Sequence, residues 1–568
     1  MITYGMMKRW DVLNKLTIKN EKLEIDDVSI LLLHNRGLTT KREIDSFLNP
    51  PQPNTLNPKD VGIDKKQLDS AIRRIRDALK KKESVVVYAD YDADGITAGA
   101  ILWETLYALG GRVMPYIPYR AQGYGLTREG IDEVKREHNP SLIVTVDHGI
   151  TARDKIEYAG SLGIDVIVTD HHTKPDKLPR CTIVHTTQFS GAGVSWFVAK
   201  EILAAVHHQS ESMLRELLAL ATIGTIADLM PLVGPNRAIV KHGLTALNAT
   251  ARVGLKALFV DAGLTSGDIR TYQVSHMLAP RLNAMGRIEH ALDALRLLCT
   301  PNRERAGDLA RKLGLTNRER QQLTEETTLH ALQGVALQKQ GHPLKKLIFI
   351  SHESYNQGII GLVAGKLVDQ YYRPSVVVSV GETISKASAR SISGFNIVEA
   401  IRSMDDILVD VGGHPMAAGF TVETRHLSLL QSRLEEFAEE RIGEDMLTRS
   451  LRVDTEIPLN FVSEELFLAL RQFEPFGFGN PEPVFAARGV AVTEARLVGA
   501  DGKHLKLRLQ ESTIDNRQST IDAIAFNFGR LYGTLQRDIP IDIAYTIDMD
   551  TWNGRKRLQL KIKDIRTN

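Results

Sequence analysis

Three short β-branched runs, each ending in an acidic segment, constrain this chain more than any other feature. Val85-Val86-Val87-Tyr88 leads into Asp90-Tyr91-Asp92-Ala93-Asp94-Gly95. Leu142-Ile143-Val144-Thr145-Val146 leads into Asp147-His148-Gly149, and Val166-Ile167-Val168-Thr169 into Asp170-His171-His172. Continuous apolar runs separated by helix-length segments predict a parallel sheet with both faces covered. In such sheets ligands collect beyond the carboxyl ends of the strands. The acidic segments then share one edge of one sheet.

A single Asp there reads as a solvated loop residue. Three carboxylates at one strand end repel each other, and the arrangement makes sense if a cation neutralises them. Asp228, in Ile226-Ala227-Asp228-Leu229, follows the helix-like stretch Leu217 to Ala227 among apolar neighbours, where an unpaired charge is costly. Alone, Asp228 could be a helix-end residue or an ion-pair partner, and His148, His171 and His172 could be ordinary loop histidines. Together, carboxylates plus imidazole without thiolate suit Mn²⁺ or Mg²⁺, with the histidine tilting the choice toward Mn²⁺. A two-cation phosphoryl centre needs about four carboxylates and at least one nitrogen, and this set supplies them.

Composition narrows the class. The 568 residues are too many for one core, so about three or four domains are expected. At 43% hydrophobic and 25% charged the chain is globular in composition, and general disorder is a poor reading. Met1 to Trp10 has no apolar core of the signal-peptide kind, and no stretch reads as a spanning helix, so a cytoplasmic protein is expected. Cys181 and Cys299 form no CxxC, which removes thiolate zinc and a disulfide framework. A net charge of +2 neither indicates nor excludes nucleic acid, because an acidic metal site and a basic groove would cancel.

Texture divides the chain into five regions. Residues 1–80 read as polar and helical, with a proline-rich loop from Asn49 to Pro58. The sheet pattern occupies 81–300, and a breaker-poor connecting helix 301–340. A second α/β pattern beginning at Leu347-Ile348-Phe349-Ile350 occupies 341–448. Short alternating strands such as His504-Leu505-Lys506-Leu507-Arg508-Leu509 fill 449–568, the pattern of a small barrel or sandwich.

The acidic elements, in this order and at strand ends, resemble the DHH phosphoesterase superfamily. The resemblance implies that Asp92, Asp94, Asp147, His171 and Asp228 hold metal ions, with Asp147 bridging. It makes Asp90 and His148 further candidate ligands, sets His172 against the scissile phosphate, and gives Asp170 the task of orienting a histidine. Gly412-Gly413-His414-Pro415-Met416-Ala417-Ala418-Gly419-Phe420 is similar to the signature of the DHH-associated domain, which implies substrate contacts from Gly412 and Gly413 and a donor at His414 near the reaction centre. A plain turn is the other reading of that run.

Ala279-Pro280-Arg281-Leu282-Asn283-Ala284-Met285-Gly286-Arg287 is similar to a signature of the RecJ family, with Arg281, Asn283 and Arg287 as substrate contacts. Phe473-Glu474-Pro475-Phe476-Gly477-Phe478-Gly479-Asn480-Pro481 and the strands after it resemble that family's OB-fold module. Phe476 and Phe478 would then stack bases, and Lys503, Lys506 and Arg508 would line a basic groove; an ordinary amphipathic strand has the same spacing.

The resemblance spans about residues 30 to 568. It implies an α/β architecture: a parallel-sheet DHH domain, a long connecting helix, a smaller α/β DHH-associated domain and a C-terminal OB-fold β-barrel. It also implies 5′-to-3′ exonuclease action on single-stranded DNA with two Mn²⁺ or Mg²⁺ ions, and a helicase and a single-strand-binding protein as partners.

For a 5′-phosphate anchor the candidates are Arg373, Arg390 with Ser391, Ser393 and Gly394, and the helix start near Gly358. Arginine forks match phosphate oxygens and helix N-termini attract anions, although each arginine alone could be a surface charge. Two other functions fit parts of the pattern: a DHH phosphodiesterase for short RNA or cyclic dinucleotides, and a non-catalytic scaffold in a replication complex.

Overall fold

The structure, a computed structural model, describes residues 8–14, 23–206, 211–339, 343–511, 520–535, 539–550 and 556–567. Met1 to Met7, within the stretch read as lacking a signal peptide, and Gln340, the expected end of the connecting helix, lie outside the described residues. The chain forms two compact units. One is Pro50–Ile442 with Gly477–Gly479; the other is Met1–Asn49, Gly443–Phe476 and Asn480–Asn568. The region 1–80 is therefore divided: helix Lys65–Lys81 belongs to the first of these units, and helices Ile25–Asn35 and Lys41–Leu48 to the second.

The larger unit opens with β1 (Ser84–Ala89), α1 (Ala93–Ala108), β2 (Arg112–Tyr116), α2 (Arg128–His138), β3 (Leu142–Val146), α3 (Arg153–Ser161), β4 (Asp165–Asp170) and β5 (Thr182–His185). The strands form an all-parallel sheet in the order β2-β1-β3-β4-β5. Val85, Val87 and Ala89 join one buried cluster and Val86 and Tyr88 another, so β1 is covered on both faces, as its unbroken apolar run predicts. The order reverses between β1 and β3, which creates the crevice where such sheets bind ligands.

Helices α4 (Gly191–Ala205), α5 (Glu211–Ala227) and α6 (Ala279–Ile288) complete this half. Then α7 (Arg303–Gln338) runs unbroken for 36 residues, a rise of about 54 Å. It leads to β6 (Ile348–His352), α8 (Ile360–Tyr371), β7 (Ser375–Ser379), β8 (Ile384–Arg390), β9 (Leu408–His414) and β10 (Ala417–Glu423). These strands form a five-stranded sheet ordered β9-β10-β8-β7-β6, in which only β6 and β7 are parallel.

In the smaller unit, β11 (Phe485–Val498), β12 (His504–Glu511), β13 (Thr520–Ala525), β14 (Pro540–Asp550) and β15 (Arg557–Thr567) pair as β11-β12-β13-β15-β14. Pairing of β14 with β11 closes the barrel. Leu505, Leu507 and Leu509 enter its core while the residues between them stay half-buried. The short strand Arg9–Val12 pairs parallel with Ser450–Val453, and so ties the start of the described chain to this unit. No described helix is long and apolar enough to cross a membrane.

Candidate metal centre

Register brings the acidic segments together. Ala89 stands opposite Val146, and Val146 opposite Thr169, so Asp90, Asp147 and Asp170 follow in line at the carboxyl edge. Asp147 adopts φ +66, a left-handed conformation unusual for a non-glycine residue and common where a site imposes it. One Asp92 oxygen caps α1 by accepting from the Asp94 and Gly95 N–H groups at 3.0 Å. Asp94 accepts from the Gly191 and Ala192 N–H groups at the start of α4, at 2.6 and 3.0 Å. Asp228 follows the last turn of α5, where its N–H donates to Gly224.

Donor atoms fall into three groups: Asp147, His171 and His172; Asp94, His171 and Asp228; Asp90, Asp92 and Asp147. Within each, one atom per residue lies within 4.8 Å of the others. His171 Nε2 is 3.1 Å from Asp147 Oδ1, 3.6 Å from Asp228 Oδ2 and 4.0 Å from Asp94 Oδ2. Glycines make this closeness possible. A Cβ on Gly191 would come 2.4 Å from Asp147, one on Gly224 2.3 Å from Asp94, and one on Gly95 2.6 Å from Asp90.

Electrostatics test whether a cation fits. Burial first, and neighbouring carboxylates second, push Asp90 and Asp228 up to about 8 and Asp94 to about 7, and hold Asp147 far above the carboxylate range. Asp90 Oδ1, Asp147 Oδ1 and His171 Nε2 are buried and have no hydrogen-bond partner. Unpaired acceptors converging with carboxylates are an oxygen-rich set of the kind Mn²⁺ and Mg²⁺ take, with one nitrogen donor at His171. The residues fit the ions.

Asp170 does a different job. One oxygen accepts from the Ile150 N–H at 2.8 Å, and the other from the His171 N–H, the His172 N–H and His172 Nδ1 at 2.7, 3.1 and 2.8 Å. Its oxygens are committed to positioning the histidine pair. Burial opposes a charge on His172, but the Asp170 hydrogen bond and charge outweigh it and push the imidazole up to about 9. Its Nε2 meets the Tyr124 hydroxyl at 3.1 Å. His171, by contrast, is pushed down to about 4 by burial and by His172, which leaves its Nε2 lone pair available to a metal.

Other expected residues have different surroundings. His148 is turned to the Tyr88 carbonyl, 3.0 Å from Nε2, and belongs to none of the donor groups. Arg281 is held by Asp261 at 2.9 Å and Asn283 accepts from the Ala93 N–H at 2.8 Å. Both brace the fold, and Asn283 supports the loop between Asp92 and Asp94. Arg373 is buried past the far end of α8, with Nη1 on the Tyr372 carbonyl. Ser391 donates to the Phe395 carbonyl within its own turn.

Arg287 and Arg390 lie near each other. Arg287 donates to the Gly358 carbonyl at 2.7 Å and is pushed down to about 10 by burial and by Arg120, Arg320 and Arg390. A Cβ on Gly361, in the first turn of α8, would come 3.2 Å from the Arg390 guanidinium, which places that charge at the helix start. Gly358 packs on the Arg287 backbone, where a Cβ would meet its carbonyl at 2.3 Å. Gly412, Gly413 and His414 are exposed on the β9–β10 hairpin; Gly413 has φ +138, and a Cβ there would come 2.3 Å from the Ala417 carbonyl. His414 lies near His171.

Sequence reasoning missed Tyr124 and Arg120. Arg120 lies 4.2 Å over the Tyr91 ring and donates to the Gly286 carbonyl at 2.9 Å. Both stand in the loop after β2, at the same sheet edge, and Gly123-Tyr124-Gly125 was the available signal.

In the smaller unit Phe476 packs against the barrel core. Phe478, which belongs to the larger unit, is 63% exposed. Arg508 is neutralised by Glu494 at 2.6 Å and Asp522 at 3.5 Å, and Lys503 lies 3.0 Å from Asp501. Lys506 stands between Arg496 and Ile524 with no ion pair among the described residues.

A parallel sheet with this acidic edge, joined by a long helix to a second sheet carrying Gly-Gly-His, defines a metal-dependent phosphoesterase of the DHH class. Family models agree: the DHH family N-terminal domain matches residues 84–225, the DHHA1 domain 344–440 and the RecJ OB domain 453–564. The chain belongs to the RecJ family.

The single-stranded-DNA-specific exonuclease RecJ of Bacillus subtilis is 36% identical over 98% of this chain and 70% of that protein. Its Thermus thermophilus counterpart is 33% identical over 96% of this chain and 76% of its own. The crystal structure of Thermus thermophilus RecJ in complex with Mn²⁺ superposes with a TM-score of 0.81 at 31% identity, covering 95% of this chain and 76% of that one. A Mg²⁺ complex of the same protein matches at 0.75.

Proposed function

We propose that this chain degrades single-stranded DNA from its 5′ end, releasing 5′-mononucleotides by phosphodiester hydrolysis at two divalent cations, in DNA repair and recombination. The observation that carries the reading is the pair of unpartnered buried atoms, Asp147 Oδ1 and His171 Nε2, at the meeting point of the donor groups. Asp92, Asp94, Asp147, His171 and Asp228 would hold the ions, with Asp90 beside them. When bound, the cations would acidify a water and offset charge on the phosphate.

His172, kept cationic by Asp170, would turn its Nε2–H from the Tyr124 hydroxyl to a non-bridging phosphate oxygen. His414 offers a second donor from the β9–β10 hairpin. Arg390 at the start of α8, with Arg287 beside it, would anchor the terminal 5′ phosphate. Lys506 on the barrel would hold single-stranded DNA by its backbone. The names of the Bacillus and Thermus relatives support single-stranded DNA as substrate. A nuclease confined to single strands depends on opened duplex, so a helicase and a single-strand-binding protein are its expected partners.

The test is a DNA oligonucleotide labelled at its 3′ end, incubated with Mn²⁺, Mg²⁺ or EDTA beside a duplex and an RNA. A descending ladder confined to the metal-containing single strand is expected. Intact DNA with degraded short RNA would replace this reading with a small-substrate phosphodiesterase.

A further inference from the structure

The loop between β2 and α2 brings Gly123-Tyr124-Gly125 to the metal centre. Tyr124 is 53% exposed, yet its hydroxyl is held from within. The oxygen lies 3.1 Å from His172 Nε2 and 3.4 Å from the Asp147 carbonyl. The ring stands edge-on to Tyr91 and to His172, with centroids 6.4 and 6.0 Å away.

An imidazole has two hydrogen-bonding directions, one at each ring nitrogen. On His172 the Nδ1 direction is taken by Asp170 Oδ1 at 2.8 Å. Only Nε2 is left to meet a substrate, and the Tyr124 hydroxyl fills its direction whichever of the two atoms donates. A non-bridging phosphate oxygen bonded to His172 would need the same place at the same distance. The two oxygens therefore compete for one nitrogen.

The backbone allows the tyrosine to leave. Gly123 has φ +107 and Gly125 φ +68, both in the left-handed region that favours glycine. A Cβ on Gly123 would meet only Thr127, at 3.7 Å, which leaves room on that side of the loop. A Cβ on Gly125 would come 3.4 Å from His148, so the other side is packed on the sheet edge. Tyr124 stands between a glycine with space around it and one that is held.

We propose that Tyr124 gates the scissile phosphate: its hydroxyl occupies the place of a non-bridging oxygen on His172, and the incoming strand displaces it. The proposal rests on the nuclease reading. Tyr124 is then neither a metal ligand nor a donor in the reaction. It opposes entry of the strand by the strength of the hydrogen bond that must first break.

Single-turnover cleavage of a 5′-phosphorylated single-stranded DNA oligonucleotide with Mn²⁺ tests it. The readouts are the rate at saturating enzyme and the enzyme concentration at half-saturation. Tyr124→Phe keeps the ring and removes the competitor. Half-saturation should fall about twofold to tenfold, the net worth of one hydrogen bond against water, while the saturated rate changes less than about twofold. In a His172→Ala background the same substitution should leave half-saturation unchanged, because no nitrogen is there to release. The Tyr124 side chain is exposed, so loss of its hydroxyl does not threaten the fold. A hydroxyl that merely orients His172 would give a lower saturated rate with half-saturation unmoved. That result, no change in half-saturation with His172 present, or an equal gain with His172→Ala overturns the gate and leaves the nuclease reading standing. Failure of the unaltered chain to cleave single-stranded DNA overturns both.

Discussion

His171 Nε2 lies 3.1 Å from Asp147 Oδ1, and both atoms are buried without a hydrogen-bond partner. Two such atoms persist at that distance when a third partner is meant to join them. A divalent cation would be that partner.

His172 is the donor with the largest expected effect on rate. His172→Ala removes the cationic N–H proposed to donate to the phosphate and leaves the Asp94, Asp147, His171 and Asp228 donors in place. Loss of one such donor costs about 10²–10³ in kcat. Single-turnover cleavage should fall by that factor while Mn²⁺ binding, measured calorimetrically, changes little. A parallel loss of metal would place His172 among the ligands instead.

Gly191 tests how closely the fold packs against the Asp147 carboxylate. A methyl group at this position would come 2.4 Å from Asp147, so Gly191→Ala must displace either the carboxylate or the start of α4. Misplacement of a catalytic group by about 1 Å can cost ~10²-fold in rate. Steady-state kinetics should show that loss with the circular dichroism spectrum retained, and wild-type kinetics would show that the start of α4 yields freely.

Acidity gives a prediction of defined sign. Without cations, Asp90 and Asp228 are pushed up to about 8 and Asp94 to about 7, against an ordinary value of 3.8. Between these values the folded chain holds protons that the unfolded chain has released, so stability falls as pH rises. His172, up at about 9, acts in the same direction above neutrality, and His148 and His171, down at about 4, are already neutral there. The Tm of EDTA-treated protein should therefore decline from pH 6.5 to 9, and added Mn²⁺ should raise it more at the upper end. A flat or rising Tm contradicts the buried carboxylate cluster.

On the barrel, Lys506 and Arg508 should separate. Arg508 is already neutralised by Glu494 and Asp522, whereas Lys506 has no ion pair among the described residues. Lys506→Ala should weaken single-strand binding in EDTA and reduce the salt slope by about 0.7, the value for one backbone contact. Arg508→Ala should change the affinity less than about twofold. Equal losses would mean that the Arg508 ion pairs open to receive the strand.

The sheet edge was legible because the same local pattern recurs: an unbroken apolar strand must be buried on both faces, and its polar end then lands at a fixed place. That logic reached Asp90, Asp92, Asp94, Asp147 and His171. It did not reach side-chain direction. His148 follows Asp147 directly, yet the φ of Asp147 turns the imidazole toward Tyr88. Arg281, Asn283 and Arg287 lie on one helix within seven residues, and only the fold reveals that the first pairs with Asp261, the second braces a loop and the third joins other arginines. Arg120 and Tyr124 were hidden because their loop carries no acidic signature.

Titration of Mn²⁺ into the metal-free chain, with Asp147→Asn beside it, tests the central claim most directly. Two ions per wild-type chain, with the binding of both weakened by the single substitution, is the predicted result. One ion per chain, or two whose affinities Asp147→Asn leaves unchanged, would contradict a shared centre at the carboxyl edge of the sheet.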